Sequence, residues 1–202
     1  MSLKTSYHFI APFYDIFLGR ATHNARQHSL SRLPQSGNAR VLLSGAGTGL
    51  DFPFLPRCHE YTALDLTHAM LARSTPRAAN LRMQWVRGDS MALPFAAGSF
   101  DYVVLHLIMA VVPQPQRCLA EAARVLKPGG RILLFDKFLR RGERAWLRRS
   151  LTPLIGQLAT RLDVVFEDVL EMVPGLRVLS DQPALARGWF RLIELQKEEM
   201  DV

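Results

Sequence analysis

Residues 39–56, ARVLLSGAGTGLDFPFLP, run from a short apolar stretch into a loop with glycine at every second position. The pattern predicts a strand, a tight turn and the start of a helix, which is the setting in which glycine-rich loops hold nucleotide-like ligands. Glycine permits the tight turn and lets ligand atoms approach the backbone without meeting a Cβ. A glycine-rich turn with a purely structural role is the alternative, so further residues are needed to decide between them.

Short apolar runs alternate with helical patterns on the C-terminal side of this loop. Runs that are apolar at consecutive positions, such as VVLHLIMAVV, are typical of strands buried on both faces of a sheet. The predicted strands are Arg40–Ser44, Tyr61–Leu64, Met83–Arg87, Tyr102–His106 and Arg131–Phe135. The predicted helices are Leu50–Leu55, Thr67–Arg77 and Gln114–Leu126. The alternation predicts an α/β fold, a doubly wound, Rossmann-like and mostly parallel sheet with helices on both faces.

The C-terminal stretch LRVLSDQPALARGWFRLIELQKEE follows a different pattern. It contains β-like runs around Arg177–Leu179 and Trp189–Gln196 without a long helix between them, which predicts an antiparallel hairpin at the edge of the sheet. The 202 residues fit one domain. Within it we expect a helical N-terminal lid over 1–37, a ligand-binding core over 38–138, and a basic helical segment with the C-terminal strands over 139–202.

Composition and termini favour a cytoplasmic protein. The chain is 49% hydrophobic and 21% charged, as soluble globular proteins are. The N-terminal MSLKTSYHFI lacks the apolar core of a signal peptide, and no run reaches the length of a membrane span. Cys58 and Cys118 show no metal-ligand spacing, so no metal is expected.

Most of the net charge of +7 is concentrated between Lys137 and Arg161, where seven basic residues are opposed only by Glu143. Arginines alternate there with Trp and Leu residues on helical spacing, a pattern that suits an anionic membrane surface. An ordinary surface helix with a solvated arginine face explains the pattern equally well. No nucleic-acid motif accompanies the charge, so nucleic acid is not an expected partner. Peripheral contact with the inner membrane face is predicted through Lys137, Arg140, Arg141, Arg144, Arg148 and Arg149.

Asp65 strengthens the ligand hypothesis for the glycine loop. It ends the second predicted strand, twenty residues after Gly45, where a carboxylate can accept hydrogen bonds from ribose hydroxyls. A helix N-cap is the alternative role, for which Thr67 is better placed. Loop and carboxylate together indicate an adenosine-type cofactor and leave a nicotinamide dinucleotide open.

Two later motifs carry a family resemblance. RGDSMALPFAAGSFDYVVL places Asp89 at the end of the third predicted strand, and LAEAARVLKPGGRILLFD places a Lys-Pro-Gly-Gly turn before the fifth. The tyrosine and lysine pair of many short-chain dehydrogenases is absent. From about Tyr7 to Phe138 the chain resembles class I S-adenosylmethionine-dependent methyltransferases of the ubiquinone and menaquinone C-methyltransferase group. FIAPFYDIFLGRATHNAR and LIMAVVPQPQRCLAEAARVLKPGG are similar to bacterial phosphatidylethanolamine N-methyltransferases.

The resemblance implies S-adenosylmethionine as the cofactor and assigns roles to individual residues. Asp65 would hold the ribose with Leu66 against the adenine, and Asp89 would accept a hydrogen bond from the adenine amino group, with the backbone of Ser90 beside it. His106 would lie near the sulfonium, and Tyr14 would close over the cofactor. The loop residues that would line the methionine part are Gly45, Ala46, Gly47 and Gly49.

Leu43 departs from the family pattern, because the family normally has Glu or Asp there to help hold the methionine amino group. Leucine cannot accept that hydrogen bond. An unreplaced loss would cost about 1.5 to 3 kcal/mol, roughly ten- to a hundredfold in affinity. Ser44, Asp51 or backbone carbonyls are candidates to compensate.

Methyl transfer needs positioning and a dry cavity more than an enzyme nucleophile. An amine acceptor must present a neutral lone pair, so a nearby base would help, and the candidates are His106, Tyr14 and Asp136. His106 is equally explained as a core histidine with both ring nitrogens satisfied. The chain has Asp136 and Lys137 where the lipid N-methyltransferases tend to have Asn and His.

The favoured acceptor is a small or amphipathic molecule, with a phospholipid headgroup amine of the phosphatidylethanolamine type as the specific hypothesis. A quinone precursor or another small metabolite is the alternative acceptor. A protein that binds S-adenosylmethionine without catalysis is the alternative of a different class, supported by Leu43 and opposed by the intact Asp65 and Asp89.

Overall fold

The computed structural model describes residues 19–139, 141 and 164–199, without the side chain of residue 187. Helix α1 is described over residues 19–30. The other helices among the described residues are α2 (His68–Ser74), α3 (Pro115–Val125) and α4 (Phe166–Glu171). The strands are β1 (Arg40–Ser44), β2 (Glu60–Asp65), β3 (Arg82–Arg87), β4 (Phe100–His106), β5 (Leu126–Lys137), β6 (Leu176–Leu185) and β7 (Phe190–Lys197).

The strands form one seven-stranded sheet in the order β3-β2-β1-β4-β5-β7-β6. The first five pair in parallel, and β7 lies antiparallel between β5 and β6. The predicted fold class and the C-terminal hairpin are therefore confirmed. From β1 the chain adds β2 and β3 on one side of the sheet, and then β4 and β5 on the other side. Open α/β sheets bind ligands at this change of side, at the carboxyl ends of the strands.

Both faces of the central strands β1, β4 and β5 are buried, which explains their consecutive apolar residues. Alternate residues of β1 point to opposite faces, so Leu42 packs in the cluster beneath α3 and Leu43 in the cluster on the other face. Leu134 and Leu133 of β5 divide in the same way.

Three predicted boundaries differ for identifiable reasons. The helix predicted over Leu50–Leu55 is a single 3-10 turn, Phe52–Phe54, whose middle residue is a proline without a backbone N–H to donate. Pro76 likewise accompanies the change from α2 to the 3-10 turn Thr75–Ala78. The Lys-Pro-Gly-Gly turn lies within β5 as an irregularity in its pairing with β4, so that strand begins at Leu126.

Part of the chain with predicted roles lies outside the described residues. This part includes Tyr14, and also most of the basic segment with Arg140, Arg144, Arg148 and Arg149. Within the described part, no helix is long and apolar enough to span a membrane.

Candidate active site

The glycine loop turns directly off the end of β1. The backbone N–H groups of Gly45 and Ala46 both donate to the carbonyl oxygen of Leu64, at 2.9 Å each, which anchors the loop to β2. Gly45, Gly47 and Gly49 all have positive φ, a conformation that favours glycine. The loop therefore needs its glycines for backbone geometry.

Space around the three glycines separates their roles. A Cβ on Gly45 would lie 2.8 Å from the side chain of Ile108, and one on Gly49 would lie 2.8 Å from the ring of Phe52. Among the described residues, a Cβ on Gly47 would meet no atom within 4 Å. Gly47 thus faces the open side of the loop, where a ligand can approach the backbone.

Asp65 connects the loop to the next turn. Its Oδ2 accepts a hydrogen bond from the backbone N–H of Gly47 at 2.9 Å, and its Oδ1 accepts from the backbone and hydroxyl of Thr67. Thr67 occupies the N-cap position of α2 without a side-chain capping bond. A carboxylate has about four acceptor positions, so Asp65 retains capacity for ribose hydroxyls. Leu66 beside it is 57% exposed, an apolar surface available to a purine ring.

The loop after β3 is tied to the same edge. Asp89 Oδ1 accepts from the backbone N–H of Met91 at 2.8 Å, which fixes a tight turn. Ser44 at the end of β1 donates its hydroxyl to Ser90 Oγ at 2.8 Å. The structure therefore brings the predicted methionine, ribose and adenine residues together at the carboxyl ends of β1, β2 and β3. Their carboxylates, exposed apolar side chain and open glycine cradle fit an adenosine-type cofactor.

His106 is a packed histidine. Its side chain is 1% exposed, its Nδ1 donates to Asp51 Oδ1 at 2.7 Å, and its Nε2 lies 2.9 Å from Ser29 Oγ. An ionised carboxylate only accepts, so Nδ1 carries the proton and, in the neutral ring, Nε2 accepts from the serine hydroxyl. The structure thus favours the alternative that the sequence left open, in which both ring nitrogens are satisfied within the protein.

Asp136 lies on the opposite face of the sheet from His106. His106 is in register with Phe135, and the two rings meet edge to face with their centres 5.7 Å apart. Asp136 is the next residue along β5, so its side chain points to the other face. Fully buried, Asp136 accepts from the backbone N–H groups of Ala110 and Lys137. Burial raises the pKa of Asp136 to about 6, against the opposing effect of these donors and of the Lys137 charge. It anchors the loop that follows β4.

A buried polar cluster at the end of β1 and β4 was not predicted as a unit. Asp51 accepts at Oδ1 from Arg26 Nη1 at 2.8 Å as well as from His106, and Arg26 Nε donates to Thr22 Oγ1 at 2.9 Å. The signal that could have indicated it is the spacing of Thr22, Arg26 and Ser29, which places three polar side chains on one face of α1.

Lys137 and Arg141 are the two members of the predicted membrane contact that the structure describes. Lys137 is partly buried, its Nζ lies 5.9 Å from the centre of the Phe190 ring, and burial lowers its pKa. Arg141 pairs with Asp168 and Glu171 of α4 at 2.7 Å each. The membrane contact itself stays a prediction.

Comparison with known proteins agrees with this geometry. Residues 42–134 match the model of a methyltransferase domain. The chain is 30% identical over 189 residues to a phosphatidylethanolamine N-methyltransferase of Cereibacter sphaeroides, covering 91% of this chain and 92% of that protein. The chain belongs to the methyltransferase family. It is an S-adenosylmethionine-dependent methyltransferase, which confirms the predicted enzyme class and cofactor.

Other relatives of this methyltransferase differ in coverage. The ubiquinone/menaquinone biosynthesis C-methyltransferase of Roseobacter denitrificans is 38% identical over 109 residues, which span 51% of this chain and 44% of the relative. Among solved structures, a possible histamine N-methyltransferase of Thermotoga maritima matches with a TM-score of 0.69 at 18% identity, covering 96% of this chain and 99% of that one. The cyclase SpnF matches with a TM-score of 0.73, also at 18% identity, covering 89% and 82%. At this identity the structural likeness shows the fold alone.

Proposed function

We propose that this methyltransferase acts on an amphipathic acceptor, with the headgroup amine of a phosphatidylethanolamine-type lipid as the preferred substrate. The observation that carries the proposal is the near full-length alignment to a phosphatidylethanolamine N-methyltransferase, which includes the C-terminal part of the chain. Matches to the quinone C-methyltransferases span less than half the length of those relatives.

A small apolar cluster beside the candidate site suits an acceptor with a hydrocarbon portion. Phe135 and Leu192 are buried there against α1, and the partly buried Leu107, Leu185 and Phe190 pack on them. These residues come from β5, β7 and the ends of β4 and β6, next to the His106 ring. We infer that the partly buried Leu107, Leu185 and Phe190 adjoin the acceptor and that the buried residues behind them help exclude water from it.

The cofactor, when bound, supplies an activated methyl group attached to a sulfonium. The protein then has to position the acceptor and remove its hydration. In this proposal His106 is a positioning residue, because both of its nitrogens are engaged by Asp51 and Ser29. Asp136 holds the loop after β4, and Tyr14 remains the predicted residue that closes over the site.

The acceptor is tested by methylation assays with radiolabelled S-adenosylmethionine. Vesicles containing phosphatidylethanolamine should accept label that co-migrates with monomethylated lipid, and soluble amines should not. Asp65→Ala should abolish transfer, because the ribose loses its acceptor. Glu60→Ala is the matched control, since it removes a half-exposed carboxylate from the other end of the same strand. Label appearing only in a demethylated quinone precursor would favour the second candidate, for which the 38% identity is the supporting observation.

Membrane docking through the basic segment is a separate part of the proposal. Binding to anionic vesicles should weaken in high salt and on replacing Arg148 and Arg149 by alanine, because each basic residue near the surface contributes about 1 kcal/mol. Replacing the exposed Arg73 and Arg82 removes the same charge elsewhere and should have little effect. Equal losses in the two double variants would reduce docking to a general effect of net charge.

A further inference from the structure

Asp51 and Arg26 form a nearly buried ion pair, and each partner has one polar side-chain atom that makes no hydrogen bond to a described residue. Their side chains are 7% exposed and are joined by Arg26 Nη1 and Asp51 Oδ1 at 2.8 Å. Among the described residues, neither Asp51 Oδ2 nor Arg26 Nη2 has a hydrogen-bond partner. Neither atom is among those that are both fully enclosed and unpaired, so each retains some access to solvent. The pair can therefore take one further acceptor and one further donor.

The position of the pair is that of a ligand site. Asp51 follows Gly49 by two residues, and its partner His106 ends β4. The pair thus lies near the carboxyl ends of the parallel strands β1 and β4, where the strand order changes direction and open α/β sheets bind ligands. Leu43 is 1% exposed and apolar, and the Ser44 hydroxyl donates to Ser90, which leaves Asp51 as the first carboxylate that follows β1 along the chain.

Asp51 is charged at neutral pH. Burial on its own would raise the pKa of this carboxyl group, but the Arg26 guanidinium and His106 hold the pKa well below its ordinary value. An anion and a cation side by side, each with a free polar atom, complement a ligand group that carries both charges. The amino-acid end of S-adenosylmethionine is such a group, with an α-ammonium and an α-carboxylate on one carbon.

We propose that Asp51 Oδ2 accepts a hydrogen bond from the α-ammonium of the cofactor and that Arg26 Nη2 donates to its α-carboxylate. The inference rests on the methyltransferase function. It explains how the chain binds the cofactor although position 43 holds leucine in place of the acidic residue that the family normally has there. Thr22 and His106 are positioning residues in this arrangement, since each holds one member of the pair.

Calorimetry with two ligands tests the assignment. S-adenosylhomocysteine carries the amino-acid end, and 5′-methylthioadenosine lacks it. Asp51→Asn should weaken binding of S-adenosylhomocysteine about ten- to a hundredfold, because one charge-assisted hydrogen bond is lost, and should leave 5′-methylthioadenosine within about twofold. Asp65→Ala is the comparison variant and should weaken both ligands. A loss shared equally by both ligands with Asp51→Asn, or no loss for S-adenosylhomocysteine, would overturn the assignment.

The unaltered protein provides a measurement that does not depend on the stability of a variant. S-adenosylhomocysteine without its amino group should bind at least about tenfold more weakly than the parent ligand. Equal affinities would refute the role of Asp51 while leaving cofactor binding intact. If neither S-adenosylhomocysteine nor 5′-methylthioadenosine binds, the methyltransferase function fails together with this inference.

Discussion

The buried carboxyl group of Asp136 should make the stability of the folded protein depend on pH. The side chain is fully buried at the end of β5, and burial raises its pKa from 3.8 to about 6 despite the opposing effect of neighbouring backbone N–H groups. In the unfolded chain the same group titrates near 3.8. Between these values the folded protein holds a proton that the unfolded chain has released.

The sign of the effect follows from this difference in proton binding. Because the folded state binds more protons between pH 3.8 and about 6, the free energy of unfolding falls as pH rises through that window. The contribution of Asp136 is fully present below pH 3.8 and is lost above the folded pKa. The shift corresponds to about 3 kcal/mol in total, of which about 2 to 3 kcal/mol falls between pH 4 and pH 8.

The assay is urea unfolding of the native protein and of Asp136→Asn at several pH values from 4 to 8. Asparagine does not titrate. As pH rises from 4 to 8, the free energy of unfolding of the variant should therefore increase by about 2 to 3 kcal/mol relative to that of the native protein. A constant penalty at all pH values is also expected, since the amide has one acceptor oxygen for two backbone donors. Only the slope tests the argument.

Asp101→Asn is the control for this slope. The pKa of Asp101 is lowered, because its hydrogen bonds to Lys127 and Arg40 outweigh its partial burial. Its stability contribution is therefore lost only at more acidic pH, and its difference curve should be flat above about pH 5. Parallel curves for native protein and Asp136→Asn would refute the raised pKa of Asp136.

Three further substitutions have outcomes that the structure distinguishes. Gly47→Ala should cost only about 1 to 2 kcal/mol for its positive φ, but should weaken S-adenosylhomocysteine binding at least about tenfold in calorimetry, since the new methyl group enters the ligand space. Gly49→Ala adds a contact of 2.8 Å with Phe52 and should lose more stability than Gly47→Ala in urea unfolding; equal losses would contradict the packing. Arg191→Ala should lower the free energy of unfolding by about 3 kcal/mol, because Glu167 and Asp181 lose the buried cation that pairs with both. A loss under 1 kcal/mol in urea unfolding would show that these ion pairs are dispensable.

The sheet could be predicted from the sequence because buried parallel strands are marked by consecutive apolar residues. All five parallel strands were located, and the hairpin was recognised from its missing helix. Short helices were predicted less well, since six residues with a proline in the middle cannot be told from a 3-10 turn by periodicity. The length of β6, which extends over Leu176–Leu185, was underestimated because its mixed composition, DQPAL, lacks a strand pattern.

Side-chain partners were the part of the site that the sequence could not supply. Ends of strands indicated that His106 and Asp136 would lie at one edge, but the register between β4 and β5 decides that they face opposite sides of the sheet. Whether a histidine is free or satisfied depends on residues 55 and 77 positions away, Asp51 and Ser29. The spacing of polar residues on α1 indicates a polar face, but it does not indicate which distant side chains that face will meet.

The ion pair at the glycine loop links cofactor binding to the position of α1. Asp51 accepts hydrogen bonds from two elements of the fold, from Arg26 of α1 and from His106 of β4. If α1 moved away, a nearly buried carboxylate would lose its cation, which costs about 3 to 5 kcal/mol for a buried pair. Docking of α1 and an ionised Asp51 therefore stabilise each other.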